Sequence, residues 1–158
     1  MNQKLSGSER RFVIAVYGAQ FFLGGWFLFH GANHWLQFFP QPPGSSSVSG
    51  QLIGALIRSG LFDVVKLIEV VAGMMLLANR AVPLATVIGF PVTLSIAHLN
   101  IAVNGDPFSL ATGVIIIALH SLVALGHLDK YASMLVVANG DPSSRGLRDM
   151  FGKGEVRQ

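Results

Sequence analysis

The sequence predicts an all-α integral membrane protein, a four-helix bundle with both termini on the cytoplasmic side. Of its 158 residues 51% are hydrophobic and 12% are charged, and the mean hydropathy is +0.55. Soluble domains carry about 25% charged residues, roughly twice this share. Four apolar stretches approach, at about 1.5 Å rise per residue, the roughly 30 Å thickness of a bilayer core. They are residues 12–30, 61–78, 82–99 and 110–128.

The first stretch, 12–30, is predicted to remain as a membrane anchor. Basic residues precede it, as they precede the apolar region of a secretory signal. The apolar run is longer than the about 7 to 15 residues of such a region, and no small-x-small cleavage pattern follows. A helix of a soluble bundle would need a polar stripe, whereas the run VIAVYGAQFFLGGWFLF, residues 13–29, offers only Gln20 and the Tyr17 hydroxyl.

The segment between the first two stretches is predicted to be an outer loop. Its residues QFFPQPPGSSSVSGQ are rich in Pro, Gly and Ser, which favours irregular structure. The following LIGALIRSG places Leu52, Leu56 and Ile57 or Ile53 on one face. This pattern favours a short helix along the outer surface that ends at Gly60.

The second and third stretches are predicted to form an antiparallel hairpin, because the turn NRAVP between them is short. Pro83 falls in the first turn of the third helix, where a missing amide hydrogen costs nothing. Gly89 and Pro91 predict a kink in the middle of that helix. Ser109 is the predicted N-cap of the fourth helix.

The distribution of Lys and Arg predicts the orientation in the membrane. Nine of the eleven lie before the first stretch, between the second and third, or after the fourth. Arg58 lies in an outer loop and Lys66 lies within the second stretch. The positive-inside rule then places both termini inside, with a membrane domain over 1–130 and a cytoplasmic tail over 131–158. The net charge of +3 reflects this topology, so no nucleic-acid partner is predicted.

Three charged residues interrupt the second stretch at helical spacing. Asp63, Lys66 and Glu69 are three apart, so the lysine reaches both carboxylates on one side of the helix. A charge at the centre of a spanning helix costs about 2.5 to 3.5 kcal/mol, and such residues usually mark a site. The alternative, equally supported, is an ion pair that neutralises itself and fixes helix register.

Histidines are the remaining candidates, since the absence of cysteine excludes thiolate metal sites, iron–sulfur clusters and c-type haem attachment. His30 and His34 lie one helical turn apart, a spacing that can hold a metal. Two histidines need a third ligand, so interfacial anchoring or hydrogen bonding is favoured and no metal site is predicted.

The fourth helix carries a stripe of Gly113, His120 and His127, seven residues apart. The glycine permits close approach of a neighbouring helix. His120 lies about 15 Å deep, at a level comparable with Glu69, and is a candidate partner for it. The open alternative is a hydrogen bond from His120 to a neighbouring carbonyl or to Ser95.

Polar residues from all four helices therefore meet in the outer half of the membrane. They predict an outward-opening pocket suited to a small polar or quinone-like headgroup. The predicted lining, and the candidate cofactor-binding set, is His30, His34, Lys66, Glu69, His98 and His120.

The hairpin GLFDVVKLIEVVAGMMLLANRAVPLATV also carries a family pattern: a lysine shortly before a glutamate, then a glycine, a run of leucines and a short basic turn. The matching residues are Lys66, Glu69, Gly73, Leu76, Leu77 and Arg80. With the first helix FFLGGWFLFHG, the chain from 12 to 128 resembles the DoxX-like family of small four-helix bacterial membrane proteins. The resemblance implies an integral protein of the bacterial inner (cytoplasmic) membrane. The family is named after a subunit linked to quinone-dependent thiosulfate oxidation, but most of its members have no established activity, and the resemblance assigns no catalytic residue. The long outer loop and the C-terminal tail depart from the family pattern.

These observations predict a redox-associated or quinone-interacting membrane subunit without independent catalytic activity. Lys66 and Glu69 lie at its pocket, and quinone is favoured as cofactor over a b-type haem held by two histidines. One alternative is an accessory subunit that packs against a larger membrane complex, supported by the small-residue pair Gly50 and Gly54. The other is a small-solute transporter, which four helices without a repeat would form only as a homo-oligomer.

Overall fold

The computed structural model describes residues 6–40 and 47–131, which are helical and contain no strand. Residues 132–158, the predicted tail, lie outside the described residues. The helices are α1 (Gly7–Leu36), α2 (Val48–Arg58), α3 (Leu61–Leu77), α4 (Val82–His98), a π-helical turn (Leu99–Asn104), α5 (Pro107–Leu125) and α6 (Leu128–Tyr131).

Three of these helices are long and apolar enough to cross a membrane. They are α1, α4 together with its π-helical continuation, and α5, with 30, 23 and 19 residues. The described part of the chain is therefore all-helical with several candidate membrane spans, as predicted. Helix α3 differs from the three because it has 17 residues and carries three charged side chains.

Helix α1 extends beyond the predicted 12–30 at both ends. At its start Ser6 and Glu9 form a capping box: the Ser6 hydroxyl accepts from the Glu9 amide at 3.3 Å, and the Glu9 carboxylate accepts from the Ser6 amide at 2.7 Å. At its end Gln37 adopts a left-handed conformation with φ of 51° and donates its amide to the Asn33 carbonyl. The additional turns follow from these capping interactions.

The predicted short helix before Gly60 is confirmed as α2. Its N-cap is Ser47, and Gly60 begins the next helix with a positive φ of 75°. Leu52 and Ile57 are about half exposed. Of the small-residue pair, Gly50 is buried within the chain and Gly54 is partly exposed.

The predicted cap of the last long helix was wrong. Asp106, not Ser109, is the N-cap: its Oδ1 accepts from the amides of Phe108 at 3.1 Å and Ser109 at 3.0 Å. The Ser109 side chain and amide both donate to this carboxylate and hold the pKa of Asp106 below its ordinary value. Aspartate followed by proline at the first helical position is a strong start signal, and it fixes the helix one turn earlier than predicted.

The four long helices pack in a closed order, α1 on α3, α3 on α4, α4 on α5 and α5 on α1. Leu23, Phe27 and Leu76 are fully buried between them. A Cβ at Gly73 would lie 2.6 Å from the Leu28 amide nitrogen, so glycine is required where α3 meets α1. A Cβ at Gly113 would lie 3.2 Å from the Ala97 carbonyl oxygen, which confirms the predicted close approach there.

The two ends of the bundle differ in charge. One end holds the first turns of α1, the turn between α3 and α4, and α6. The hydrogen bond from Gln20 to Asn79 joins α1 to that turn, and the contact of Thr86 with Tyr131 joins the start of α4 to α6. We call this the basic end, which is defined by Arg10, Arg11, Arg80 and Lys130. Arg58, at the end of α2, lies at the opposite end.

Candidate functional site

The second stretch, now α3, places an ion pair inside the bundle. Lys66 Nζ donates to Glu69 Oε2 at 2.7 Å, and the two side chains are 11% and 3% exposed. The spacing of three residues puts both groups on one side of α3, as predicted. A pair this deeply buried has little water to screen it, so each charge depends on the other.

A second pair lies one turn closer to the end of the bundle opposite the basic end. His34 Nε2 donates to Asp63 Oδ1 at 2.6 Å. Asp63 is 60% exposed, whereas His34 is 17% exposed and packs its ring edge-on against Phe62. The Lys66 ammonium lies 5.1 Å from the centre of the same Phe62 ring, so this ring contacts one member of each pair.

His30 lies among aromatic rings. Its imidazole is 4.3 Å from the Trp26 ring centre and 5.3 Å from that of Phe39. Phe39 is held there because Asn33, fully buried, accepts its amide at 2.9 Å and donates to its carbonyl at 3.0 Å. The Lys66 ammonium is close enough for its positive charge to act on the His30 imidazole.

The structure thus brings together four of the six predicted residues and adds Asp63. We call His30, His34, Asp63, Lys66 and Glu69 the ion-pair cluster. A Cβ at Gly31 would lie 3.0 Å from Glu69 Cβ, so α1 and α3 come close enough for their polar residues to meet. His34 lies within electrostatic range of the Glu69 carboxylate, which links the two pairs.

His120 does not join this cluster, and its predicted pairing with Glu69 was wrong. Its Nδ1 accepts from the Thr93 hydroxyl at 2.8 Å, and its Nε2 donates to the Thr86 carbonyl at 3.0 Å. Both ring nitrogens are used, and the arrangement fits the neutral imidazole with its proton on Nε2. The alternative expectation, a hydrogen bond to a neighbouring carbonyl, is the one observed.

His98 is also separate from the cluster. It is the last residue of α4 and its side chain is exposed. No hydrogen bond or ion pair among the described residues joins it to His30, His34, Lys66 or Glu69. Whether His98 or His120 contacts a cofactor stays a prediction.

Sequence reasoning missed two buried polar contacts. Gln20, with no exposed surface, donates to the Leu76 carbonyl at 2.8 Å and to Asn79 Oδ1 at 3.0 Å, which ties α1 to the end of α3. Thr93 was missed as the partner of His120. A single amide side chain in an apolar run, as at Gln20, indicates a buried hydrogen bond and could have been used to predict one. A single threonine gives no such indication, because its hydroxyl can bond within its own helix.

The ion-pair cluster retains unused hydrogen-bonding capacity. The Lys66 ammonium has three N–H groups, of which one reaches Glu69. The Phe62 ring lies beside it, and the rings of Trp26 and Phe39 lie against His30. These groups suit a planar molecule with carbonyl acceptors. Among residues 6–40 and 47–131 no three His, Asp or Glu side chains come together in a way that could hold a metal ion.

Comparisons with protein-family models, with curated proteins and with solved structures gave no match for this chain.

Proposed function

We propose that the protein is a DoxX-like multi-pass protein of the bacterial cytoplasmic membrane that binds a quinone-like headgroup at its ion-pair cluster. It acts as a redox-associated subunit and has four spanning helices with both termini inside. The single observation that carries the proposal is the Lys66–Glu69 pair at 2.7 Å within an apolar bundle. Ionisable groups at such depth are costly and usually functional.

Helix α3 is the fourth span in this proposal. Its 17 residues extend about 26 Å at about 1.5 Å per residue, close to the thickness of the hydrocarbon core. Asp63 lies in its first turn, where water is near, and Lys66 and Glu69 neutralise each other. Helix α3 packs between α1 and α4, both long enough to span, so its charged side is covered by protein.

The orientation follows from the charge at the two ends. Four of the described basic residues define the basic end, and Arg58 lies at the other. The positive-inside rule places the basic end in the cytoplasm. The ion-pair cluster then lies in the outer half of the membrane, with Asp63 at its mouth.

A quinone-like headgroup fits the cluster for two physical reasons. Its carbonyl oxygens are acceptors, and the free N–H groups of Lys66 are donors inside a region of low dielectric, where hydrogen bonds are strong. Its planar ring can pack against Trp26, Phe39 or Phe62, and aromatic pairs prefer ring centres about 4.5 to 7 Å apart. The bilayer delivers such a molecule directly to the bundle.

The resemblance to DoxX-like proteins agrees with the position of the motif residues. Glu69 and Lys66 form the buried pair, and Gly73 lies one turn further along α3, where it packs against α1. Arg80 lies in the turn before α4. The motif therefore combines the candidate site with the helix contact that supports it.

The test is a titration of purified protein in nanodiscs with a short-chain ubiquinone and with a menaquinone analogue, followed by quenching of Trp fluorescence. Glu69→Gln should abolish saturable binding of both, because the neutral amide leaves the buried Lys66 ammonium without a balancing negative charge. Glu9→Gln is the matched control: it removes one exposed carboxylate at the basic end and should bind as the wild type does. Unchanged binding in a folded Glu69→Gln variant, or no binding by wild type, would overturn the proposal.

A further inference from the structure

A groove runs between α4 and α5 at the basic end of the bundle, away from the ion-pair cluster. Its volume is about 470 Å³, and Val87, Phe90, Ala124 and Leu125 form much of its wall. At the opposite end the same two helices are in close contact at Gly113. The groove therefore lies where the contact between α4 and α5 is incomplete.

The groove opens toward the surroundings of the bundle rather than into its centre. Val87, Phe90, Leu125 and Leu128 border it and are 44 to 58% exposed. Both α4 and α5 are among the helices long and apolar enough to cross a membrane. The surroundings of these side chains are then lipid, so the occupant must come from the bilayer.

The polar groups in the wall are largely used by the protein itself. Both nitrogens of His120 are bonded, to Thr93 and to the Thr86 carbonyl. The Thr86 hydroxyl donates to the Pro83 carbonyl at 2.8 Å and accepts from the Tyr131 hydroxyl. A wall of this kind favours an apolar occupant over one that needs several hydrogen bonds.

The charge at this end identifies the kind of molecule. Arg80 precedes α4 by two residues and is exposed, and no ion pair in the described part of the chain includes it. Thr86, in the groove wall, lies four residues into α4, about 6 Å from its start at about 1.5 Å per residue, and Arg80 lies in the turn just before that start. A chain in the groove would therefore place an attached headgroup near a guanidinium, which prefers phosphate.

We propose that this groove is a binding site for an anionic phospholipid. One acyl chain lies between α4 and α5, and the phosphate interacts with Arg80. The site is distinct from the ion-pair cluster and does not depend on quinone binding.

The experiment uses the full chain in nanodiscs of phosphatidylglycerol and phosphatidylcholine, with a trace of either lipid carrying a diazirine in one acyl chain. After illumination, the cross-linked peptides are located by mass spectrometry. The phosphatidylglycerol probe should label peptides of α4 and α5 around Phe90 and Ala124. Ala124→Phe fills the groove and should remove this labelling.

Matched variants separate the chain from the headgroup. Ala118→Phe adds the same ring at an exposed position of α5 outside the groove and should keep the labelling. Arg80→Gln should keep labelling in the groove but reduce the preference for phosphatidylglycerol over phosphatidylcholine about fivefold, the effect of about 1 kcal/mol per basic residue near the surface.

Three results of the cross-linking itself would overturn the proposal, and one result of a competition experiment would do so too. They are labels spread evenly around the bundle, unchanged labelling in a folded Ala124→Phe variant, and cross-links from the groove to a second copy of the chain in place of lipid. Displacement of the lipid label by a long-chain quinone but not by excess phosphatidylglycerol would also overturn it, because the occupant would then be an isoprenoid tail.

Discussion

The interior of the bundle holds two groups of ionisable and polar side chains. One group is stabilised by pairing opposite charges, and the other by hydrogen bonds of a neutral imidazole. In the ion-pair cluster, Lys66 and Glu69 place opposite full charges 2.7 Å apart. Between α4 and α5, His120 is neutral and bonds to a hydroxyl and a carbonyl. We call His120, Thr93, Thr86 and Tyr131 the histidine cluster.

The two clusters differ in the hydrogen-bonding capacity that remains unused. The histidine cluster uses both nitrogens of its imidazole, so it has the properties of a structural contact. The ion-pair cluster keeps unused N–H groups on Lys66 and connects through Asp63 to the exterior. Burial in the bundle alone therefore does not distinguish the two clusters, whereas the unused donors beside a covered charge do.

The largest expected effect comes from leaving one charge of the buried pair alone. Glu69→Leu leaves the Lys66 ammonium without its partner at 11% exposure and should lower the free energy of unfolding by about 3 to 5 kcal/mol. Unfolding in mixed micelles with increasing SDS, followed by Trp fluorescence, measures it.

The double variant Lys66→Met with Glu69→Leu is the control for this prediction. It removes both charges and keeps apolar volume, so it should recover most of the lost stability. It should still fail to bind a quinone analogue. If the double variant were as unstable as Glu69→Leu, the cost would come from packing around α3 and not from the uncovered charge.

Much of the helical framework could be predicted, because it follows from local signals. Apolar runs of 17 or more residues, Gly60 after α2 and Pro83 in the first turn of α4 are all readable in the chain. The predicted positions of the helix ends were less accurate, because capping depends on individual side chains. Ser6 with Glu9, and Asp106 before a proline, each moved a boundary by several residues.

The candidate site could be predicted only in part, because its members meet across helices. The spacing of Lys66 and Glu69 is a property of one helix and was correct. The pairing of His34 with Asp63, and that of His120 with Thr93, depends on how α1 meets α3 and α4 meets α5. Depth along a helix could not give the direction in which His120 faces.

The second prediction tests the histidine cluster as a structural contact. His120→Phe keeps an aromatic ring beside Phe27 and Phe90 but leaves the Thr93 hydroxyl without its partner in the interior. The free energy of unfolding should fall by about 1 to 3 kcal/mol, the cost of an unpaired buried polar group. The same SDS titration measures it.

Adding Thr93→Val to His120→Phe replaces both partners by apolar groups and should recover part of this loss. Binding of a quinone analogue should be close to that of wild type in both variants. A loss of binding as complete as in Glu69→Gln, with the fold intact, would place His120 in the site and erase the contrast between the two clusters.

The smallest effect is expected at the exposed edge of the ion-pair cluster. Asp63→Asn removes the charge of a side chain that is 60% exposed, while the amide oxygen can still accept from His34. Ion pairs exposed to water contribute about 0.2 to 1 kcal/mol, so the free energy of unfolding should change by no more than that.

Salt should reduce the difference in free energy of unfolding between Asp63→Asn and wild type, since screening acts on exposed charges. It should leave the stability loss of Glu69→Leu almost unchanged. A salt-insensitive loss at Asp63 as large as that at Glu69 would mean that both pairs are equally sheltered. The cluster would then have no water-facing edge through which a proton or a headgroup carbonyl meets the exterior.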